Sequence, residues 1–470
     1  MAKNQAKEMN QAIYDARTLG TPKMIVLGLQ HMFAMFGATV LVPMLTGLSV
    51  SATLLFAGLG TLLFHFLTKG KVPAFLGSSF AFLGGYAAIT TWNEVNELGE
   101  TVSVLHPEML PYACVGVFCA GLLYVVISAL FKAFGAKKVM RFFPPVVTGP
   151  IIICIGLILA NSAINNCVAS WPIALLAIVV VVVCNIWAKG MLKIIPILMG
   201  VVVSYVVAAL CGMVDFTPVA EAAWVGLPFQ MKDTVFSLFG GEGTVNYAGE
   251  TLTKGTMILT AIISIMPIAL ATMIEHIGDI CAISSTTEKN FIEDPGLHRT
   301  MLGDGLATSL AALFGAPANT TYGENTGVLA LTKVYDPRVI RIAAAFAILF
   351  SFCPKFAALI SCMPTATIGG VSLILYGMIS AVGVRNVVEN QVDFTKSRNV
   401  IICALIMGLA LGVNFSSVGA IAFSIGGVNI SLSGLAVAAI VGILVNAILP
   451  GKDYEFGAND QGDKSVNFKV

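Results

Sequence analysis

Apolar runs of about 20 residues recur along this chain from Met24 to Pro450, and each is long enough to cross the roughly 30 Å of bilayer hydrocarbon as a helix. Composition bears on the same point: of 470 residues, 57% are hydrophobic and only 11% charged, with a mean hydropathy of +0.89. A soluble domain is roughly a quarter charged, and no soluble core of this length could hide so much apolar surface. Lipid must cover the excess. A β-barrel would show stretches of about ten residues with alternating polarity, and that pattern is absent. The expected fold class is an all-α polytopic membrane protein.

The N-terminal stretch Met1 to Lys23 is polar and mixed in charge and has no apolar stretch followed by a small-residue cleavage site, so no removable signal peptide is expected. Ten cysteines are scattered singly, mostly inside apolar runs (Cys114, Cys154, Cys184, Cys403), with no spacing suited to a metal. They read as small packing residues, and neither a metal nor a cofactor is expected. A net charge of +1 offers no basic stripe to neutralise phosphates, which argues against nucleic-acid binding.

Between charged or turn-rich breaks the chain divides into fourteen candidate spans. They begin near Met24, Ser51, Pro73, Tyr112, Phe142, Trp171, Lys193, Thr256, Thr300, Ala318, Val339, Phe356, Asn399 and Ser433. The third (Pro73 to Thr90) and the tenth (Ala318 to Leu331) are short, polar and glycine-rich. An even count puts both termini on one side, and the positive-inside rule tests the count, because one misplaced span would reverse every later loop. With both termini cytoplasmic, all but Lys232, Lys254 and Lys355 of the 26 Lys and Arg fall inside. The expected outer loop Trp92 to Glu108 carries Glu94, Glu97, Glu100 and Glu108 with no Lys or Arg, whereas the inner turn Lys132 to Arg141 carries Lys132, Lys137, Lys138 and Arg141.

The fifth span opens Phe143-Pro144-Pro145-Val146-Val147-Thr148-Gly149 and the twelfth Met363-Pro364-Thr365-Ala366-Thr367-Ile368-Gly369. Gln30-His31 in the first span likewise matches Glu275-His276 in the eighth. Each match is weak alone, but together with the span count they suggest two repeats of seven. Seven is odd, so the second copy would be inverted, an arrangement in which broken helices meet near the midplane and hold a substrate.

Two apolar segments are interrupted, near Glu275 and near Glu324, and a site is expected there. The third span contains Gly77-Ser78-Ser79-Phe80-Ala81-Phe82 and the tenth Ala318-Asn319-Thr320-Thr321-Tyr322-Gly323-Glu324-Asn325. Extended backbone at membrane depth is tolerated only where protein or a cavity satisfies its N–H and C=O groups. Two short extended strands pairing with each other would do so, each running into a half-helix whose N-terminal N–H groups suit an acceptor-bearing ligand. The alternative is an ordinary small-residue helix contact. Glu275 follows the apolar stretch Met257 to Ile274, and a carboxylate at such depth is expensive enough to imply function. Asp279 lies one turn on, on the same face. Asp304 and His31 are further candidates for a buried polar network, in which a merely structural, hydrogen-bonded role would look the same. A membrane carboxylate that binds and releases a proton in each cycle could couple uptake to a proton gradient. No Walker-type phosphate loop exists, so ATP is not expected to drive transport.

Taken together, Gln30-His31, Gly77 to Phe82, Glu275-His276-Ile277-Gly278-Asp279, Asp294 to Arg299, and above all Glu324-Asn325-Thr326-Gly327 through Thr332-Lys333 resemble the nucleobase–ascorbate transporters. Within that family, Phe33 to Pro43 and Pro317 to Asn325 are similar to bacterial uracil permeases. The resemblance implies fourteen transmembrane segments in two inverted repeats of seven, with short extended strands in segments 3 and 10. It implies a core domain (1–134 and 251–355), a gate domain (135–250 and 356–452) and a cytoplasmic tail (453–470). Carried over by position, Glu275 and Glu324 would accept the pyrimidine ring N–H groups, and the backbone N–H groups of Phe80 and Gly323 would donate to its carbonyls. Tyr322 and Tyr376 would line the pocket, and Glu275, Glu324, Asp279 and His31 would serve proton coupling. Asp279 departs from uracil permeases, which typically carry a second His there, and matches what xanthine carriers often show.

The expected activity is import of uracil with protons across the cell (inner) membrane by an elevator motion of core against gate. The expected partners are uracil, protons and the lipid bilayer, with a homodimer through the gate domain as the family arrangement. A purine (xanthine or urate) symporter is the alternative. An anion transporter of the same fold would call for a basic or neutral pocket, and Glu275 and Glu324 speak against it. A membrane enzyme would need a nucleophile–base pair or metal cluster, and the sequence offers none.

Overall fold

A computed structural model describes residues 12–95, 101–240, 243–417, 419–425, 428–452 and 454 of the chain. Among these lie sixteen helices of eight residues or more: α1 Thr21–Thr46, α2 Val50–Leu67, α3 Leu83–Thr90, α4 Leu110–Phe134, α5 Pro145–Cys167, α6 Trp171–Ile186, α7 Pro196–Leu210, α8 Lys254–Ile265, α9 Ala269–Thr287, α10 Leu297–Leu313, α11 Gly323–Thr332, α12 Pro337–Ser351, α13 Pro354–Ser361, α14 Thr365–Glu389, α15 Ser397–Asn414 and α16 Gly434–Ile448. Eight short strands, β1 Leu76–Ser78, β2 Thr91–Val95, β3 Thr101–Leu105, β4 Thr244–Tyr247, β5 Glu250–Thr253, β6 Asn319–Thr321, β7 Ala420–Ile425 and β8 Val428–Ser433, form four antiparallel pairs. Three of these pairs are local hairpins; β1 with β6 joins distant parts of the chain.

Local chemistry sets the helix ends. Pro22 sits in the first turn of α1, and Gly47 closes that helix in the left-handed conformation at φ +81°, its N–H bonded to the Pro43 carbonyl, a conformation that costs a glycine nothing. Side-chain hydroxyls of Ser49, Thr253 and Ser433 accept N–H groups at the starts of α2, α8 and α16, replacing partners that a helix N-terminus lacks. Seven helices are long and apolar enough to cross a bilayer, with α8 and α9 counted as one helix of 34 residues through a 3₁₀ turn, and α6, α7 and α16 are shorter apolar helices. Helices α3 and α11, at eight and ten residues, extend only about 12 and 15 Å, so neither crosses alone. The protein is a multi-pass membrane protein.

The packing has a regular pattern. Helices α1, α2, α4, α8, α10 and α12 pack mainly among themselves, and so do α5, α6, α7, α14, α15 and α16. In the first group α2 lies against α12 and α4 against α10, and likewise α1 against α12 and α4 against α8. In the second, α6 pairs with α7 and α15 with α16, while α6 meets α14 and α15 meets α5. At its centre α5 crosses α14 through glycines: a β-carbon at Gly156 would fall 2.2 Å from the Tyr376 carbonyl oxygen, one at Gly383 2.8 Å from the Gly149 oxygen, and one at Gly369 2.8 Å from the Ala163 oxygen. Small residues let helices approach where no hydrophobic gain from leaving water exists.

Two expectations are corrected. The twelfth span was placed from near Phe356, but Phe356 belongs to α13, which bends 88° from α12, and the long helix begins only at Thr365. Pro354 and Pro364 start separate helices because a proline lacks the N–H that would continue the previous one. The apolar residues of α13 are instead spent on local packing, Phe356 lying 5.4 Å from the Phe36 ring and 4.8 Å from that of Phe350. Similarly, Glu275 was expected at an interruption, yet α9 is unbroken around it. The irregular turn is Met266–Ile268, upstream at Pro267. Glu97, Glu100 and, apart from Tyr454, the tail 453–470 lie outside the described residues.

The α5–α14 crossing makes a direct prediction. Gly156→Val should destabilise the protein by about 1–3 kcal/mol, the usual cost of overpacking, because the Tyr376 oxygen and the Ser380 nitrogen that the new side chain would meet belong to backbone. A melting temperature in detergent equal to that of the parent would contradict this close approach.

Candidate functional site

Strands β1 and β6 set the geometry. They run antiparallel with Leu76 opposite Thr321, Gly77 opposite Thr320 and Ser78 opposite Asn319, and all six residues are buried. The ladder continues at both ends: the Ser79 N–H donates to the Ala318 oxygen at 2.8 Å and the Tyr322 N–H to the Phe75 oxygen at 3.0 Å. Side chains from flanking helices satisfy the remaining groups. Thr61 Oγ1 accepts the Leu76 N–H at 2.9 Å, the Thr308 hydroxyl donates to the Asn319 oxygen at 2.9 Å, and Asn319 Nδ2 donates to the Phe56 oxygen at 3.0 Å. The Tyr322 hydroxyl reaches back across the strands to the Ser78 oxygen at 2.9 Å. Its ring occupies the space over Gly77, where a β-carbon would sit 2.5 Å from it.

Each strand leads into a short helix, β1 into α3 and β6 into α11. Between strand and helix, the backbone N–H groups of Phe80 and Gly323 donate to no other described residue. Glu324 is the second residue of α11, and α11 packs against α9, which carries Glu275. Both carboxylates are partly exposed, and Glu275 lies within electrostatic reach of Glu324 and of Asp304. Asp279, one turn beyond Glu275, accepts the Thr321 hydroxyl at 2.9 Å. Glu275 and Glu324 thus lie on packed helices at the Gly323 end of the strand pair, while Phe80 follows its other end, past the Ser79–Ala318 bond. Tyr376 reaches the Phe80 end from α14, its ring 5.6 Å from that of Phe80 in an edge-to-face arrangement.

The other expected residues divide. Asn325 Nδ2 donates to the His31 carbonyl at 3.1 Å and lies 3.1 Å from His31 Nδ1, so His31 joins the site from behind α11. Asp304 is not with Asp279. It sits deeper, its Oδ2 3.0 Å from His276 Nδ1, both side chains fully buried. The Tyr124 hydroxyl donates to Thr272 Oγ1 at 2.5 Å. Sequence reasoning did not single out Thr321 as the partner of Asp279, or Tyr124 and Thr272. Thr321 was visible only as one more polar residue in a polar run; the other two carry no local signal. An apolar cleft between Phe80, Ala81 and Gly84 on one side and Ile155, Ile158 and Leu159 on the other, closed by Asn414, Ser433 and Leu435, was also missed. It reaches Phe80 but neither carboxylate.

Loss of the Thr321 hydroxyl should matter because a hydrogen bond to a carboxylate contributes about 1.5–3 kcal/mol. Thr321→Val is expected to lower the melting temperature in detergent while Thr321→Ser retains it. Equal melting of all three proteins would show that Asp279 does not depend on this bond.

Comparison with known proteins agrees with this architecture. A model described as "Permease family" matches residues 22–419. The chain is 40% identical over 449 residues to the uracil permease of Bacillus caldolyticus, covering 94% of each chain. It is 37% identical to the uracil permease of Bacillus subtilis, covering 94% of this chain and 96% of that one, and 39% identical to that of Escherichia coli, covering 90% of each. Among solved structures, the transmembrane domain of a cyanobacterial bicarbonate transporter, BicA, superposes with a TM-score of 0.56 at 14% identity, over 93% of this chain and 98% of that one. Murine solute carrier 26 family member A9, an anion transporter in an inward-facing state, superposes with 0.56 at 12% identity, over 90% and 67%. Those two likenesses are of fold alone. Identity and coverage against the permeases are far beyond what a shared fold requires, and the chain belongs to this permease family, the nucleobase–ascorbate transporters, as a membrane transporter and not an enzyme.

Proposed function

We propose that this protein imports uracil with protons across the cell (inner) membrane. The observation that supports the reading is the β1–β6 pair, which leads through Phe80 and Gly323, N–H groups that donate to no other described residue, into two short helices, one carrying Glu324 and packed against the helix of Glu275. Uracil presents two ring N–H donors and two carbonyl acceptors. Two carboxylates and two backbone donors saturate that pattern, and a site of this kind rejects ligands that leave its polar groups unpaired. Tyr322 and Tyr376 bound the ring. The names of the curated relatives support the same substrate.

In this reading the chain forms fourteen segments in two inverted repeats, with both termini cytoplasmic. The packing pattern supports the repeat: exchanging the first seven segments for the last seven turns each helix pairing described above into another one. The two packing groups correspond to a core (1–134 and 251–355) and a gate (135–250 and 356–452), and the site lies in the core at its face toward Tyr376 of the gate. An elevator motion would carry core past gate. Glu275, Glu324, Asp279 and His31 would pass protons, each within the polar set around the crossing, and a homodimer would form through the gate. One observation favours a purine as the second reading, namely Asp279 held by Thr321 beside the site.

Glu275→Ala and Glu324→Ala should each abolish uracil uptake with normal amounts of protein in the membrane; parental rates from either variant would refute the site. Competition of labelled uracil uptake by unlabelled uracil, thymine, xanthine and urate decides the substrate: a purine that competes better than uracil would overturn the pyrimidine assignment. A protonophore should stop accumulation, and uptake that survives it but requires sodium would sink proton coupling.

A further inference from the structure

The residues just before α1 form a strap over the ends of the two helices that carry the carboxylates. Ile13 lies parallel to Val334, its N–H donating to the Lys333 oxygen at 2.8 Å and its carbonyl accepting the Tyr335 N–H at 2.8 Å. That pair of bonds grips the chain where it leaves α11, at a Lys333 in the left-handed conformation. The next residue, Tyr14, donates its hydroxyl to the Thr287 oxygen at 2.9 Å, the last residue of α9, and packs edge-on against Tyr335 at 5.5 Å. Lys289, just past α9, places its ammonium 4.4 Å from the Tyr14 ring centre. Asp15 pairs with Arg338 at 3.1 Å, and the Ala16 N–H donates to Asp336 Oδ2 at 2.7 Å. Ala16, Val334 and Val339 close a small apolar cluster beneath, joined by Ile13, Leu19 and Met24.

From these contacts we infer that Ile13 to Ala16 is a positioning clamp for the substrate site, setting the placement of Glu324 relative to Glu275 from the far ends of α11 and α9. The inference rests on the reading that both carboxylates touch substrate. Its physical basis is that a ten-residue helix is marginal by itself and takes its direction from what holds its two ends. Strand β6 holds one end of α11. The strap holds the other, about 13 Å from Glu324 along the helix, and ties it to α9. Binding that depends on two carboxylates at a set separation is sensitive to shifts of about 1 Å.

Ile13→Pro removes the N–H given to Lys333 and leaves the Ile13-site carbonyl in place. It should speed amide hydrogen exchange in α11 and raise the KM for uracil uptake about tenfold with little change in maximal rate. Asp15→Ala, which loses the Arg338 and Arg17 pairs and the bond from the Arg17 N–H but keeps both backbone bonds of Ile13, should move both readouts in the same direction by less, and carries the test if the proline variant fails to reach the membrane. Unchanged exchange, or faster exchange with parental KM, overturns the clamp. A Glu324→Ala control separates the two ideas: if it transports normally the site reading has failed, and the clamp with it, whereas a dead control beside parental strap variants removes the clamp alone. The Arg17 guanidinium bonded to Asp15, at 2.6 Å, holds its carboxyl down to about 2. Asp15 therefore contributes wherever the pH is above the ordinary carboxylate range, and its contribution fades only as the pH falls toward about 2. The KM ratio of Asp15→Ala to parent should then stay constant from about pH 5 to about pH 8.

Discussion

Six residues of extended backbone, buried among helices, are the constraint on which the rest depends. An unpaired backbone N–H or C=O in such surroundings costs several kcal/mol, so β1 and β6 have to find each other although some 240 residues separate them. Once they pair, their ends are placed back to back, and α3 and α11 start on opposite sides of one small region. The hydroxyls of Thr61, Thr308 and Tyr322 and the amide of Asn319 complete the pairing. These polar residues would be a liability in a lipid-facing helix; here they are the reason an irregular backbone can persist.

That arrangement leaves the N–H groups of Phe80 and Gly323 without a partner among the described residues. In the proposed site, specificity would come from hydrogen-bond count more than from shape, because unpaired groups are costly in both directions: an empty site and a mismatched ligand each leave them unsatisfied. The edge-to-face contact of Tyr376 with Phe80 is one of several places where the second packing group touches the first, beside α7 against α1 and α5 and α16 against α9. The glycine-lined α5–α14 crossing lies wholly within the second group.

Much of this was legible beforehand. Apolar runs located most of the helices to within a few residues, and the polar runs 77–82 and 318–325 flagged the extended segments, which fall at Leu76–Ser78 and Asn319–Thr321. The expense of a membrane carboxylate singled out Glu275 and Glu324. The errors have a common cause. Hydropathy measures how apolar a stretch is and not where its helix stops, so α13 was merged with α14 although α13 ends at Ser361 and a new helix begins at Thr365 after Pro364. A charged residue in an apolar run was likewise taken for a break in the helix, although a helix satisfies its own backbone whatever its side chains carry, and α9 passes through Glu275 without interruption.

The sequence by itself determined that this chain lives in a membrane and where most of its helices lie. Those are consequences of transfer free energy, which each residue contributes according to its own chemistry and immediate neighbours. Only the tertiary structure decided partners. It put His31 with Asn325, Asp279 with Thr321, Asp304 with His276, and the segment before α1 against the ends of α9 and α11. Hydrogen bonds and ring contacts depend on distances of a few ångströms between residues hundreds of positions apart, and that information exists only once the helices have packed.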